Sequence, residues 1–259
     1  MTNTCARSGA TIPIALQMYT LREQAAEDFV GTMRRVAEIG YAGVEFAGYG
    51  GLSTAAMKVL LEELGLNPAG SHVGLDLLEN ELDSVIDYSL EIGNPYVVCP
   101  FLPPDRRQDE ASLHATAQSL NRIGAACKEQ GLQFCYHNHA FEFQTFGGKY
   151  AFDILYEGTE PELVQAEVDT YWVQFAGLDP AELIRRYSER VTLVHLKDMD
   201  PQDRSFAEVG EGTLDWQAIF AASEAAGAEW YIVEQDRCKR SPLESVRLSL
   251  ENLRAMGAV

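Results

Sequence analysis

The sequence predicts the α/β class, as one (β/α)8 barrel in a single domain spanning residues 1–259. Three observations lead there. Eight short apolar runs are spread along the chain, stretches of helical period separate them, and glycines recur where a helical stretch gives way to the next run. The length of 259 residues suits such a barrel, which typically needs about 250.

The runs cover residues 14–19, 43–47, 67–73, 96–101, 133–139, 164–170, 191–197 and 230–235. Each is rich in Val, Ile, Leu or aromatics and mostly continuous rather than alternating. That is the pattern of strands covered on both faces, and hence of a parallel sheet. After the first run, Phe29, Met33, Val36 and Ala37 share one helical face, and after the second so do Met57, Leu60, Leu61 and Leu64. Leu113, Ala117, Leu120, Ile123 and Gly124 repeat the spacing before the fifth run, and Val246, Leu248, Leu250 and Leu253 after the eighth. Gly40, Gly65, Gly93, Gly131 and Gly227 stand at helix ends, where the left-handed φ of a C-terminal cap favours glycine. An open doubly wound sheet is the rival; it carries GxGxxG after its first strand, and no such loop follows Tyr19. Residues 1–12 read as a flexible N-terminal segment.

With 46% hydrophobic and 23% charged residues the chain can bury a large core. A formal net charge of −19 opposes binding to nucleic acid or to an anionic membrane surface, because the phosphates would be repelled. Cys5, Cys99, Cys127, Cys135 and Cys238 are an odd number, widely spaced and without a CxxC pair, which fits reduced thiols and a cytoplasmic location. No apolar run reaches the roughly 18 residues of a membrane span, and no signal peptide is evident.

In such a barrel the chemistry sits at strand C-termini. Here the strand ends carry Gln17, Glu45, His72, the stretch Tyr136-His137-Asn138-His139 with Glu142 beyond it, Glu167 and Asp169, His195 with Lys197, and Glu234 with Asp236. A lone buried histidine is usually a satisfied core residue. Four of the five histidines at strand ends, among converging carboxylates, call for a compensating cation. Mixed carboxylate and imidazole donors suit Mn2+, Co2+, Mg2+, Fe2+ or Zn2+, with Mn2+ placed first here.

The motifs VEF (44–46), SH (71–72), YHNHAFEF (136–143), EVDTYW (167–172), VHLKD (194–198), VGEGTLDW (209–216) and IVEQD (232–236) resemble the xylose isomerase-like TIM barrels, the sugar phosphate isomerase/epimerase superfamily, in its YHNHxxEF subgroup. The resemblance runs over essentially the whole chain. It implies one divalent metal held by Glu, Asp, His and Glu from strands five to eight. Asp169, His195 and Glu234 match the last three. For the strand-five ligand the resemblance points to Glu142, with His137, which stands at the usual glutamate position, as the alternative. Trp172 replaces a histidine found in several of the superfamily's isomerases, and an indole cannot carry a proton.

The resemblance implies an isomerase or epimerase working through an enediolate on a small sugar, keto-sugar or cyclitol. A lyase of the inosose or dehydroshikimate dehydratase type, and a non-catalytic sugar-binding barrel, are the alternatives. Glu142, Glu234, His139 and Lys197 are the expected proton-transfer groups; Gln17, Glu45, His72, His137 and Trp172 are the expected substrate contacts. The expected partner is a small polyol or keto-sugar, with a homo-oligomer possible.

Overall fold

A computed structural model describes residues 11–258. Residues 1–10, including most of the expected flexible segment, lie outside the described residues. Eight parallel strands close a barrel: β1 (Ile14–Gln17), β2 (Gly43–Phe46), β3 (Asn67–His72), β4 (Tyr96–Cys99), β5 (Gln133–His137), β6 (Val164–Asp169), β7 (Val191–Leu196) and β8 (Trp230–Val233). They are hydrogen-bonded in chain order, with β1 pairing to β8 at closure. All eight apolar runs are strands, but each expected strand overruns its observed end by one or two residues, because the last residues turn into the mouth loops.

Outside lie the helices α1 (Phe29–Ile39), α2 (Thr54–Leu64), α3 (Leu82–Ile92), α4 (Glu110–Glu129), α5 (Ala151–Glu157), α6 (Pro180–Arg186), α7 (Trp216–Ala226) and α8 (Pro242–Ala255). Met33 and Val36, Met57 and Leu60, Leu113 and Leu120, and Val246 and Leu253 are buried against the barrel, as their spacing requires. Asp28, Ser53, Asp109, Asp179, Asp215 and Ser241 cap helix N-termini with side-chain oxygens. Gly40, Gly65, Gly93 and Gly227 take the left-handed cap conformation. No helix among the described residues is long and apolar enough to cross a membrane.

Two packing layers follow from strand alternation. Ile14, Leu16, Phe134, Val168 and Val194 face outward into the shell between sheet and helices. Ala15, Ala69, Tyr96, Val98, Cys135, Leu193 and Ile232 fill the bottom of the barrel interior. Two residues further along several of these strands, the inward positions turn polar: Gln17, His137, His195 and Glu234. The small apolar plug therefore carries a polar layer on top of it. Cys99, Cys127, Cys135 and Cys238 are free thiols.

Candidate active site

The polar layer begins with a buried floor. Glu45 and Glu167 point their Oε2 atoms at the same two imidazoles. His72 Nε2 lies 2.7 Å from Glu167 and 3.2 Å from Glu45, while His195 Nε2 lies 2.7 Å from Glu45 and 3.3 Å from Glu167. Gln17 adds an amide donor to Glu45 at 2.7 Å, from the directly paired position on the neighbouring strand. Glycine is required at Gly70 for this approach: its φ is +151°, and a Cβ there would stand 2.7 Å from Glu45 Oε1. Burial first, and then the Glu167 charge, push the Glu45 carboxyl up to about 7. Burial also opposes ionisation of Glu167, but His195 and His72 outweigh it and hold Glu167 well below the usual range.

Above the floor sits a second group: His137 Nε2, Asp169 Oδ2, His195 Nδ1 and Glu234 Oε2, one donor atom each, all within 4.8 Å of one another. His195 Nδ1 is 2.9 Å from Glu234, and His137 Nε2 is 3.2 Å from Asp169. All four residues are buried. Strand register brings them together, since His137 pairs with Glu167 and Asp169 pairs with His195. Asp169 gives its other oxygen to the Trp172 backbone N–H, which fixes the carboxylate's aim. His195 thus faces the floor with Nε2 and this upper group with Nδ1. With the Nε2 proton donated to Glu45 or Glu167, Nδ1 is left as a lone-pair donor, the arrangement that orients metal-ligating imidazoles. Two carboxylates and two imidazoles so disposed fit a divalent ion of the oxygen- and nitrogen-preferring kind.

Lys197 completes the layer. Its ammonium is 2.7 Å from Glu234, 3.0 Å from Asp169 and 3.1 Å from Asp236. Burial lowers its proton affinity, but Asp169, Glu234 and Asp236 outweigh this and raise it well above the ordinary value. In return Glu234, despite its burial, is held ionised chiefly by Lys197 and His195. The mouth above is a cavity of about 350 Å³ lined by Tyr19, His72, Phe101, His139, Lys197 and Glu234 among others. His139 is pushed down to about 2, first by burial and then by His137 and Lys197, so it is a neutral wall.

Three placements differ from the sequence expectation. Glu142 does not join the ligand group: Tyr136 donates its hydroxyl to Oε1 and the His139 backbone N–H donates to Oε2 at 2.7 Å, which occupies the buried carboxyl. Burial drives that carboxyl up to about 8. His137, the alternative, stands in the group instead. Gln17 and Glu45 belong to the floor rather than to the cavity wall, since both are fully buried. Trp172 lines a neighbouring cavity rather than the central one. Sequence reasoning gave Glu167 no site role; its signal was the two-residue spacing from Asp169, which turns both side chains into the barrel. Asp198, beside Lys197, is structural. It accepts from the backbone of Met199, Gly210, Gly212 and Leu214 and from the Trp216 indole, and so folds the 209–214 loop around itself.

A family model described as xylose isomerase-like TIM barrel matches residues 33–256. The inosose dehydratase of Geobacillus kaustophilus is 27% identical, over 85% of this chain and 84% of that protein. That of Geobacillus thermodenitrificans is 32% identical over a shorter stretch, 48% of each chain. Among solved structures, a sugar phosphate isomerase/epimerase from Parabacteroides distasonis superposes with a TM-score of 0.85 at 25% identity, covering 100% of this chain and 99% of that one.

Proposed function

The chain belongs to the xylose isomerase-like TIM barrel family, and from that premise we propose that it is a metal-dependent lyase that removes water from a small cyclic keto-polyol. The supporting observation is the pairing of Glu234 with Lys197 at 2.7 Å on one wall of the central cavity, with Asp236 behind them. A carboxylate in hydrogen-bond contact with an ammonium puts a proton acceptor beside a proton donor. Glu234 takes the proton from the carbon adjacent to the carbonyl. Lys197 gives a proton to the β-hydroxyl as its C–O bond breaks and the C=C bond forms, so water leaves. A proton passed from Glu234 to Lys197 restores both groups. His137, Asp169, His195 and Glu234 would hold the divalent ion, Mn2+ first among candidates, whose charge stabilises negative charge developing on the substrate carbonyl oxygen.

The isomerase or epimerase reading has the Parabacteroides neighbour's name in its favour. Moving a proton between two faces or two carbons is served best by a second free carboxylate across the cavity. Glu142, the residue for that role, is occupied by Tyr136 and His139, and His139 itself is a neutral imidazole. The relatives called inosose dehydratases favour water loss as well. The substrate reading is accordingly an inosose-like keto-polyol, handled by a cytoplasmic enzyme.

The test is incubation of the Mn2+-loaded enzyme with an inosose in D2O, followed by NMR. The expected product has lost water. Recovery of an isomer or epimer carrying deuterium next to the carbonyl, with no loss of water, refutes the lyase reading.

A further inference from the structure

A second cavity of about 440 Å³ opens beside the central one, lined by Trp172, Ser205, Phe206, Asp236, Arg237 and neighbouring residues. We propose that it is a substrate subsite, and that the polyol carries an apolar, ring-sized substituent that lies there against Trp172 and Phe206. The inference rests on the keto-polyol reading for what fills the central cavity, but not on the reaction that follows.

The two cavities share a wall at one ion pair, Lys197 with Asp236 at 3.1 Å. Asp236 lines both. Lys197, which lines the central cavity, places its ammonium 5.9 Å from the Trp172 ring and 5.8 Å from the Phe206 ring. The His139 ring, also in the central wall, packs on Trp172 at 5.4 Å. Trp172 and Phe206, on the far side of Asp236, give the side cavity its aromatic surface. That surface is held in place: Trp172 meets Phe206 edge-on at 5.7 Å, and Tyr171 backs Phe206 at 4.3 Å. The chemical contrast between the two sides sets the class of ligand. The central cavity presents imidazoles, carboxylates and an ammonium, as hydroxyl groups require. The side cavity presents the Trp172 and Phe206 rings together with Ser205, Asp236, Arg237, Cys238 and Lys239. An aryl or similar flat group on a linking oxygen matches both, with its ring on the aromatic wall and its polyol among the polar groups of the central cavity.

The test is calorimetric binding of phenyl β-D-glucopyranoside against methyl β-D-glucopyranoside to the Mn2+-loaded protein. The phenyl compound is expected to bind at least roughly tenfold more tightly, the scale of one ring buried on an aromatic wall. Phe206→Ala should erase that preference and leave the methyl compound unchanged. Ser205→Trp, which fills the cavity, should do the same should the alanine variant fold poorly. Equal affinity of the two glucosides in the wild type, no binding of either, or a preference that survives in a folded variant overturns the proposal. The readout is binding, so the two readings fail separately. A phenyl preference without water loss from an inosose sinks only the lyase reading; water loss without a phenyl preference sinks only the subsite.

Discussion

Replacing Lys197 with Met isolates what the buried ammonium does. The side chain is fully enclosed, and its Nζ touches Glu234, Asp169 and Asp236 at 2.7, 3.0 and 3.1 Å. Methionine keeps most of the volume, so the change is one of charge. In the metal-free protein it takes away the ammonium that Asp169 and Glu234 share, and breaking a buried pair in this way costs about 3–5 kcal/mol. The Asp236 contact contributes less, about 1 kcal/mol, because that carboxylate is 27% exposed. With a urea slope of about 3 kcal/mol per M, the metal-free unfolding midpoint should fall by about 1.3–2 M. A divalent ion on His137, Asp169, His195 and Glu234 replaces the missing charge, so the loss should shrink by more than half in saturating Mn2+. Metal should also bind the variant more tightly, having no ammonium to displace. Urea titrations with chelator and with Mn2+ read both effects. A metal-free loss below about 1 kcal/mol, or the same loss with and without the ion, refutes the reasoning.

Glu142→Gln should leave metal content unchanged, since both oxygens are committed to Tyr136 and His139; loss of the ion by elemental analysis would return Glu142 to the ligand set. The same variant tests pH dependence. A carboxyl raised from 4.5 to about 8 adds stability that is complete below pH 4.5 and is lost as pH rises toward 8. Its share of the wild-type slope in that window is about 1.4 kcal/mol per pH unit, and chemical denaturation at pH 5, 7 and 8.5 should find this component missing from the variant. Glu234→Gln removes the proposed base, and kcat should drop by about 10²–10⁴ in water loss from an inosose; a smaller drop with the ion retained contradicts its role. Gly212→Ala sets a Cβ 2.1 Å from Asp198 Oδ1 and 2.5 Å from the Met199 carbonyl. It should cost about 1–3 kcal/mol by overpacking, read as a lower melting temperature, and an unchanged melting temperature refutes the account of that loop.

The barrel was legible because continuous apolar runs and glycine-closed helices are local signals, repeated often enough to identify the unit. Asp169, His195 and Glu234 stood among many polar residues at strand ends, and it was the family resemblance that singled them out as ligands. What escaped depends on contacts between strands. Glu45 and Gln17 lie at strand ends like the others, yet they pair with each other, and Glu45, which packs against Gly70, accepts from His195 beneath the ligand group. Glu142 sits in the sequence where a ligand is plausible. Its burial against Tyr136, six residues earlier, follows from the tight 3-10 turn Phe141–Phe143, and no periodicity announces it. Lys197 showed its strand position but not its contacts with Asp169 and Glu234, which come from the end of β6 and from just beyond β8.

The central claim is that His137, Asp169, His195 and Glu234 form the ion site. Anomalous diffraction at the manganese edge from crystals grown with Mn2+ tests it most directly. The account predicts one strong peak bonded to those four side chains, with Glu142 still hydrogen-bonded to Tyr136 and His139. A peak coordinated by Glu142, or no peak in the barrel mouth, contradicts it.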